Sequence, residues 1–129
     1  MSCEFSGVRF EGCIFDNVRF DDSSLSGCIF RGCEFRNSSF RDSDASRAEF
    51  VECKLIDFSG SDIDFAESRF RSVLFDNSDL SGADFSGSIL EDVKAVNCDF
   101  SDVDFSRLKL GTLRLTIVIS IVLILVNLI

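Results

Sequence analysis

Cys3-Glu4-Phe5-Ser6-Gly7, Ala83-Asp84-Phe85-Ser86-Gly87 and Cys98-Asp99-Phe100-Ser101-Asp102 share one five-residue pattern, and that pattern runs through most of the chain. From Phe5 to Leu110 every fifth residue is bulky and apolar except Ala45, Gly60 and Ala95, and fourteen of the fifteen phenylalanines fall on this beat. All six cysteines (Cys3, Cys13, Cys28, Cys33, Cys53, Cys98) lie two residues before it. A period of five fits neither a helix, which repeats at 3.6, nor an uninterrupted strand, which repeats at 2. With the beat labelled i, positions i−2 and i are inward by composition. Position i−1 is mostly charged or polar, as at Glu4, Arg9, Arg19, Glu34, Asp44 and Asp64. In, out, in is a minimal strand. The other two positions must turn the chain: at i+2, sixteen of the twenty-one residues between 7 and 107 are Gly, Asn or Asp, which tolerate left-handed turn geometry.

A chain that repeats short strand and turn winds into a coil, whose turns stack by strand pairing about 4.8 Å apart. At a spacing of twenty, columns of like residues emerge: Asn17, Asn37, Asp57, Asn77, Asn97 at the turn, Ser6, Ser26, Ser46, Ala66, Ser86, Ser106 beside it, and Cys13, Cys33, Cys53 inside. Four quintets per coil predicts an all-β solenoid of square cross-section with roughly five coils, on the order of 25 Å long. One quintet departs from the pattern: around Phe58-Ser59-Gly60 the aromatic sits at i−2 and the centre is glycine. Phe58 is expected to fill the volume that Gly60 leaves vacant. The alternative is a kink or break between two sub-rods.

These quintets resemble those of pentapeptide-repeat proteins, over about residues 3–110. The resemblance implies a right-handed quadrilateral β-helix for residues 1–110, its handedness coming from the family and not from the spacing. It also implies partners. Some members bind type II topoisomerases (DNA gyrase or topoisomerase IV) as DNA mimics and protect against quinolones.

The chain has no Trp, Tyr, Pro or His. The lack of proline suits a fold that needs nearly every amide in a ladder. The lack of histidine removes the commonest general base and zinc ligand. A formal charge of −9 argues against direct nucleic-acid binding through phosphate neutralisation. The cysteines share their position with Val, Ala, Ser and Ile and read as buried free thiols in a reducing cytosol. Cys28 and Cys33 face different inner walls and are poor metal partners. The serines sit on turns without histidine, and no Gly-rich phosphate loop appears. The expectation is a non-enzyme with no catalytic residue, metal or cofactor.

Glu4, Asp44, Asp64, Asp84 and Asp104 form one outward column, with Asp22, Asp42, Asp62 and Asp102 beside it and Asp21 next to the first of these. Three readings compete. One is a solvated face that resists association. A second is a divalent-cation ladder, weakened by the missing glycine-rich calcium nonapeptide. The third is a surface for a protein partner whose basic groove is built for duplex DNA.

Residues 111–129 lose the repeat, and 115–129 hold twelve apolar residues and no charge. As a helix the latter would span roughly 22 Å against a hydrocarbon core of about 30 Å. Adding Leu108 to Arg114 with snorkelling side chains brings it close. Arg107, Lys109 and Arg114 precede it, so the positive-inside rule places the rod on the cytoplasmic side. The expectation is a C-terminal hydrophobic helix that meets a membrane through residues 113–129, with Ile117, Ile119, Ile121, Leu123 and Leu125 as its anchor or as a homodimer interface. The alternatives are a helix capping the last coil of a soluble cytoplasmic protein and a strand, since nine of the fifteen residues are β-branched. The first quintet shows no cap, which leaves a shortened chain or a covering partner at that end.

Overall fold

The computed structural model describes residues 3–111 and the backbone of residues 113–116. Among these residues ten strands form: β1 Arg9–Glu11, β2 Ile14–Asp16, β3 Ile29–Arg31, β4 Glu34–Arg36, β5 Glu49–Val51, β6 Lys54–Ile56, β7 Arg69–Asp76, β8 Ile89–Val96, β9 Lys109–Leu110 and β10 Leu113–Thr116. Every pairing is parallel with an offset of twenty: Phe10 lies beside Phe30, Phe30 beside Phe50, Phe50 beside Phe70, and Phe70 beside Leu90. The chain is therefore an all-β solenoid of four quintets per coil. Its four faces are named here by the central residue of the first coil: Phe5, Phe10, Phe15 and Phe20. Strands occupy the Phe10 and Phe15 faces, and β7 and β8 run through the corner that joins them. The other two faces pair through single bridges, Glu4–Ser24–Asp44–Asp64–Asp84–Asp104 and Arg19–Ser39–Ser59–Asp79–Asp99.

All twenty-one i+2 residues from 7 to 107 have left-handed backbone, the non-glycines at φ between 48° and 57°. Sixteen of them carry the turn signal expected there; Arg47, Glu52, Glu67, Ser72 and Arg107 do not. A left-handed non-glycine costs roughly 1–2 kcal/mol, but the ladders above and below leave these corners no other path. On the Phe5 and Phe20 faces the corner is closed by a turn bond, as from the Val8 amide to the Phe5 carbonyl at 3.0 Å and from the Ser43 amide to the Phe40 carbonyl at 3.3 Å. Past the Phe15 face the amides of Val18 and Phe58 donate to the hydroxyls of Ser38 and Ser78 instead.

The core is a stack of phenylalanines. Rings pile nearly parallel along the Phe10 face, with centroids 5.0 Å (Phe10–Phe30), 4.8 Å (Phe30–Phe50) and 5.0 Å (Phe50–Phe70) apart. Adjacent faces meet edge-on, as Phe50 and Phe65 do at 85°. Position i−2 has a polar duty that its small size conceals. Buried Ser38, Ser68, Ser78 and Ser88 donate to the carbonyls of Phe15, Ala45, Leu55 and Phe65, the central residues twenty-three earlier. Cys53 and Cys98 aim their thiols at the Phe30 and Phe75 carbonyls by the same offset. Serine and cysteine are thus interchangeable there, and all six cysteines are free thiols.

Phe58 does fill the space of Gly60. It is buried against Phe35 and Phe40, and a Cβ on Gly60 would lie 2.7 Å from its ring. The ladder continues through this quintet, with the Gly60 amide bonded to the Asp79 carbonyl at 2.7 Å, so no break divides the rod.

The expected C-terminal helix does not begin at 111. Leu113 to Thr116 pair with Val93 to Val96, again at an offset of twenty. Leu113 and Leu115 take positions i−2 and i of one more quintet, and the free edge of β8 supplies the pairing groups that draw them into strand. Ile117, Ile119, Ile121, Leu123, Leu125 and the rest of the expected anchor lie outside the described residues. Among the described residues, no helix is long and apolar enough to cross a membrane.

Candidate interaction surface

The two bridge-paired faces and the corner between them carry almost the whole charge of the protein. They hold twelve carboxylates: Asp79 and Asp99 on the Phe20 face; Asp21, Asp22, Asp42, Asp62 and Asp102 along the corner; Glu4, Asp44, Asp64, Asp84 and Asp104 on the Phe5 face. Only Arg19 and Arg41 are interspersed with them. The other ten carboxylates and eleven cations nearly cancel, so this side accounts for the formal −9.

Turn chemistry explains the segregation. On these faces a carboxylate at i−1 accepts the backbone amide at i+1. Asp44 takes the Ser46 amide at 3.0 Å, Asp64 that of Ala66 at 2.9 Å, Asp84 that of Ser86 at 2.8 Å and Asp104 that of Ser106 at 2.8 Å. Asp79 and Asp99 do the same with Ser81 and Ser101, both at 2.9 Å, and also accept their hydroxyls at 2.6 and 2.5 Å. Aspartate is short enough to make this self-contained turn, which is why it recurs here. On the Phe10 and Phe15 faces i−1 lies in regular strand, and both signs occur, as at Arg9, Glu49, Lys54 and Lys94.

Those bonds also set the ionisation. Asp99 is held below the usual carboxylate range by the Ser101 hydroxyl and amide, and Asp104 by the Ser106 amide and hydroxyl. At Asp21 burial pushes the pKa up, but the Ser39 hydroxyl, the Arg41 amide and the Arg41 guanidinium outweigh it and the net shift is downward. Carboxylates stabilised as anions present fixed charge; a general acid requires the opposite environment. Among the described residues no three metal-ligating side chains converge.

All nine expected partner residues fall on this side. Glu4, Asp44 and Asp104 are exposed on the Phe5 face, Asp64 and Asp84 are half-buried there, and Asp22, Asp42, Asp62 and Asp102 are exposed at the left-handed corner positions. Asp62 folds over Gly82 and leaves no room for a Cβ at that residue. Sequence reading missed Asp79 and Asp99, because their column begins with Arg19, Ser39 and Ser59 and looks neutral for three coils. The signal that finds them is the triplet Asp-x-Ser with its aspartate at i−1, shared by Asp44-Ala45-Ser46, Asp79-Leu80-Ser81, Asp84-Phe85-Ser86, Asp99-Phe100-Ser101 and Asp104-Phe105-Ser106.

A family model described as "Pentapeptide repeat region" matches residues 3–74 and 27–105. Among solved structures, the pentapeptide repeat protein Rfr23 from the cyanobacterium Cyanothece 51142 is similar at a TM-score of 0.83 and 12% identity, covering 88% of this chain and 91% of that one. A trypsin-treated variant of QnrB1, a plasmid-mediated fluoroquinolone resistance protein, matches at a TM-score of 0.43 and 19% identity over 99% of this chain and 84% of that one. A pentapeptide repeat protein of the Arabidopsis thaliana thylakoid lumen matches at 0.35 and 22% identity, over 78% and 60%. Comparison with curated proteins finds no match.

Proposed function

The chain belongs to the pentapeptide-repeat family, and from that premise we propose that it is a non-catalytic interaction rod that offers its acidic side to a protein with a basic groove. The observation that carries this is the segregation just described: twelve carboxylates against two arginines on two adjacent faces, with the rest of the surface balanced. Turn capping accounts for the i−1 aspartates, but not for Asp42, Asp62 and Asp102, which are exposed at left-handed positions where glycine or asparagine would serve as well. Their charge is surplus to folding. In this reading the chain works on the cytoplasmic side of a membrane, tethered through its apolar C-terminal residues. The support is the cationic run Arg107, Lys109, Arg114 ahead of an uncharged stretch. Fractionation of cells without detergent tests the tether: recovery of the full chain in the soluble fraction removes it.

The density of the charge favours a second, narrower reading, a DNA mimic for a type II topoisomerase. From Glu4 to Asp104 the column climbs five coil spacings, about 24 Å. A net ten negative charges on this side then gives one per ~2.4 Å, against one per ~1.7 Å of duplex DNA. The test is DNA gyrase supercoiling with purified chain and with the Asp42→Asn, Asp44→Asn, Asp62→Asn, Asp64→Asn quadruple variant. Inhibition or quinolone protection by the parent, weakened by added salt and lost in the variant, supports the mimic. No effect at low salt leaves only the broader reading.

A further inference from the structure

Among the described residues the first coil is covered on one side only. Phe5, Phe10, Phe15 and Phe20 are only half-buried, whereas Phe30, Phe35 and Phe40 one coil on are at most 1% exposed. Val8 and Ile14 stand 38% and 63% exposed, two of the three large apolar side chains that do so among the described residues. β1 and β2 are the two termini of the main sheet path, each paired on one side only among the described residues. Such edges recruit a strand.

We propose that this end pairs with the same end of a second copy of the chain about a two-fold axis, β1 of each copy antiparallel to β2 of the other. The shape of the end selects that axis. A coil climbs one strand spacing per circuit, so its end is a ramp with a single step, between Asp22 and Cys3, where Ser24 comes to lie over Glu4. Two ramps of one hand face each other at constant separation only when the two-fold passes through that step. It then leaves through the opposite corner, at Gly12 and Cys13. Every residue n then meets residue 25 − n of the other copy, which sets Phe10 against Phe15 and Phe5 against Phe20. Arg9 faces Asp16 twice, and Ser6 faces Arg19 twice. The like-charged encounters are Glu4 with Asp21, also twice, and the Asp21 carboxylate already accepts from Ser39 and Arg41.

A coil with its side chains is about 20 Å across, so roughly 400 Å² per copy is covered. The total of about 800 Å² lies below the usual range of specific interfaces, so the dimer is a weak one that forms only at micromolar or higher protein concentration. Because the axis passes through the acidic corner, it also aligns the acidic sides of the two copies into one edge of about ten coils. That consequence, unlike the pairing, rests on the acidic side being a binding surface.

Sedimentation equilibrium of the full chain across 5–300 µM tests the pairing. The parent is expected to pass from monomer to dimer. Arg9→Asp sets carboxylate against carboxylate and should weaken the dimer at least about tenfold. Asp16→Arg alone should weaken it similarly, and the two together should restore it to within about threefold. Far-UV circular dichroism shows whether each variant is folded. A monomer at 300 µM, or a dimer indifferent to both charge reversals, overturns the proposal; the latter would place association elsewhere in the chain.

Discussion

The exchange of Phe58 and Gly60 is the sharpest probe of how the core is built. Phe58→Ser alone removes a ring that is 2% exposed and lies 5.2 Å from Phe40 and 6.1 Å from Phe35. With glycine still at 60 nothing can refill that volume, so the loss should reach about 3–5 kcal/mol. Gly60→Phe alone is worse placed. Its Cβ by itself would lie 2.7 Å from the Phe58 ring and 3.0 Å from Leu80, and overpacking of this kind costs about 3 kcal/mol or more. Made together, the changes rewrite the quintet in regular form. The new ring enters the column of Phe40 and Leu80, and the new hydroxyl enters that of Ser38 and Ser78, which bond to carbonyls twenty-three residues earlier. The double variant should therefore lie within about 1–2 kcal/mol of the parent, a coupling of at least ~3 kcal/mol. Urea unfolding followed by far-UV circular dichroism measures all four corners of this cycle. Additive losses would refute the claim that the two residues share one volume.

Other consequences follow from the corners, the caps and the thiols. Glu52 is left-handed at φ 54°, so Glu52→Gly should raise stability by up to about 1 kcal/mol after its unfolded-chain entropy is counted, seen as a higher urea midpoint. Gly12→Ala, where an added Cβ meets nothing, should lose about 1 kcal/mol from backbone strain alone. Asp99 and Asp104 have lowered folded pKa values, so their contribution is complete above the unfolded value of about 3.9 and is lost as pH falls through the folded values. Asp99→Ala with Asp104→Ala should flatten the stability profile below pH 5, whereas the paired Asn changes should retain the turn caps at neutral pH. Burial pushes the Cys28, Cys33 and Cys98 thiols up and that of Cys53 up to about 11. Native alkylation should accordingly label half-buried Cys3 and Cys13 at least about tenfold faster than these four, with the difference vanishing in urea.

The coil was legible because its two strongest signals, aromatic at i and a turn former at i+2, recur together and lock the period at five. The offset of twenty followed from columns such as Cys13, Cys33 and Cys53. Less visible was how strongly stacked neighbours dictate conformation. Arg47, Glu52 and Glu67 carry no left-handed preference, yet take it because residues one coil away leave no other route. Residues 113–116 misled for a related reason. Leu113-Arg114-Leu115-Thr116 opens an apolar run that reads as helix, but the edge of β8 settles it as strand, and a neighbouring edge does not appear in local composition. The acidic side was half visible. The Phe5-face column showed itself in steps of twenty, while Asp79 and Asp99 needed the turn geometry that gives a carboxylate at i−1 its hydrogen bonds.

Whether the acidic side carries charge beyond what folding requires is tested directly by one comparison. Thermal unfolding of the parent and of the Asp42→Asn, Asp44→Asn, Asp62→Asn, Asp64→Asn variant should be followed from 10 mM to 500 mM salt. Asparagine retains the oxygen that caps the turns at Ser46 and Ala66, and like charges a coil apart repel by up to about 1 kcal/mol per pair before screening. The variant should melt above the parent at low salt, and the two should converge as salt rises. A variant that melts lower at every salt concentration would show that these carboxylates hold the fold together, and would contradict the reading of them as a surface kept for a partner.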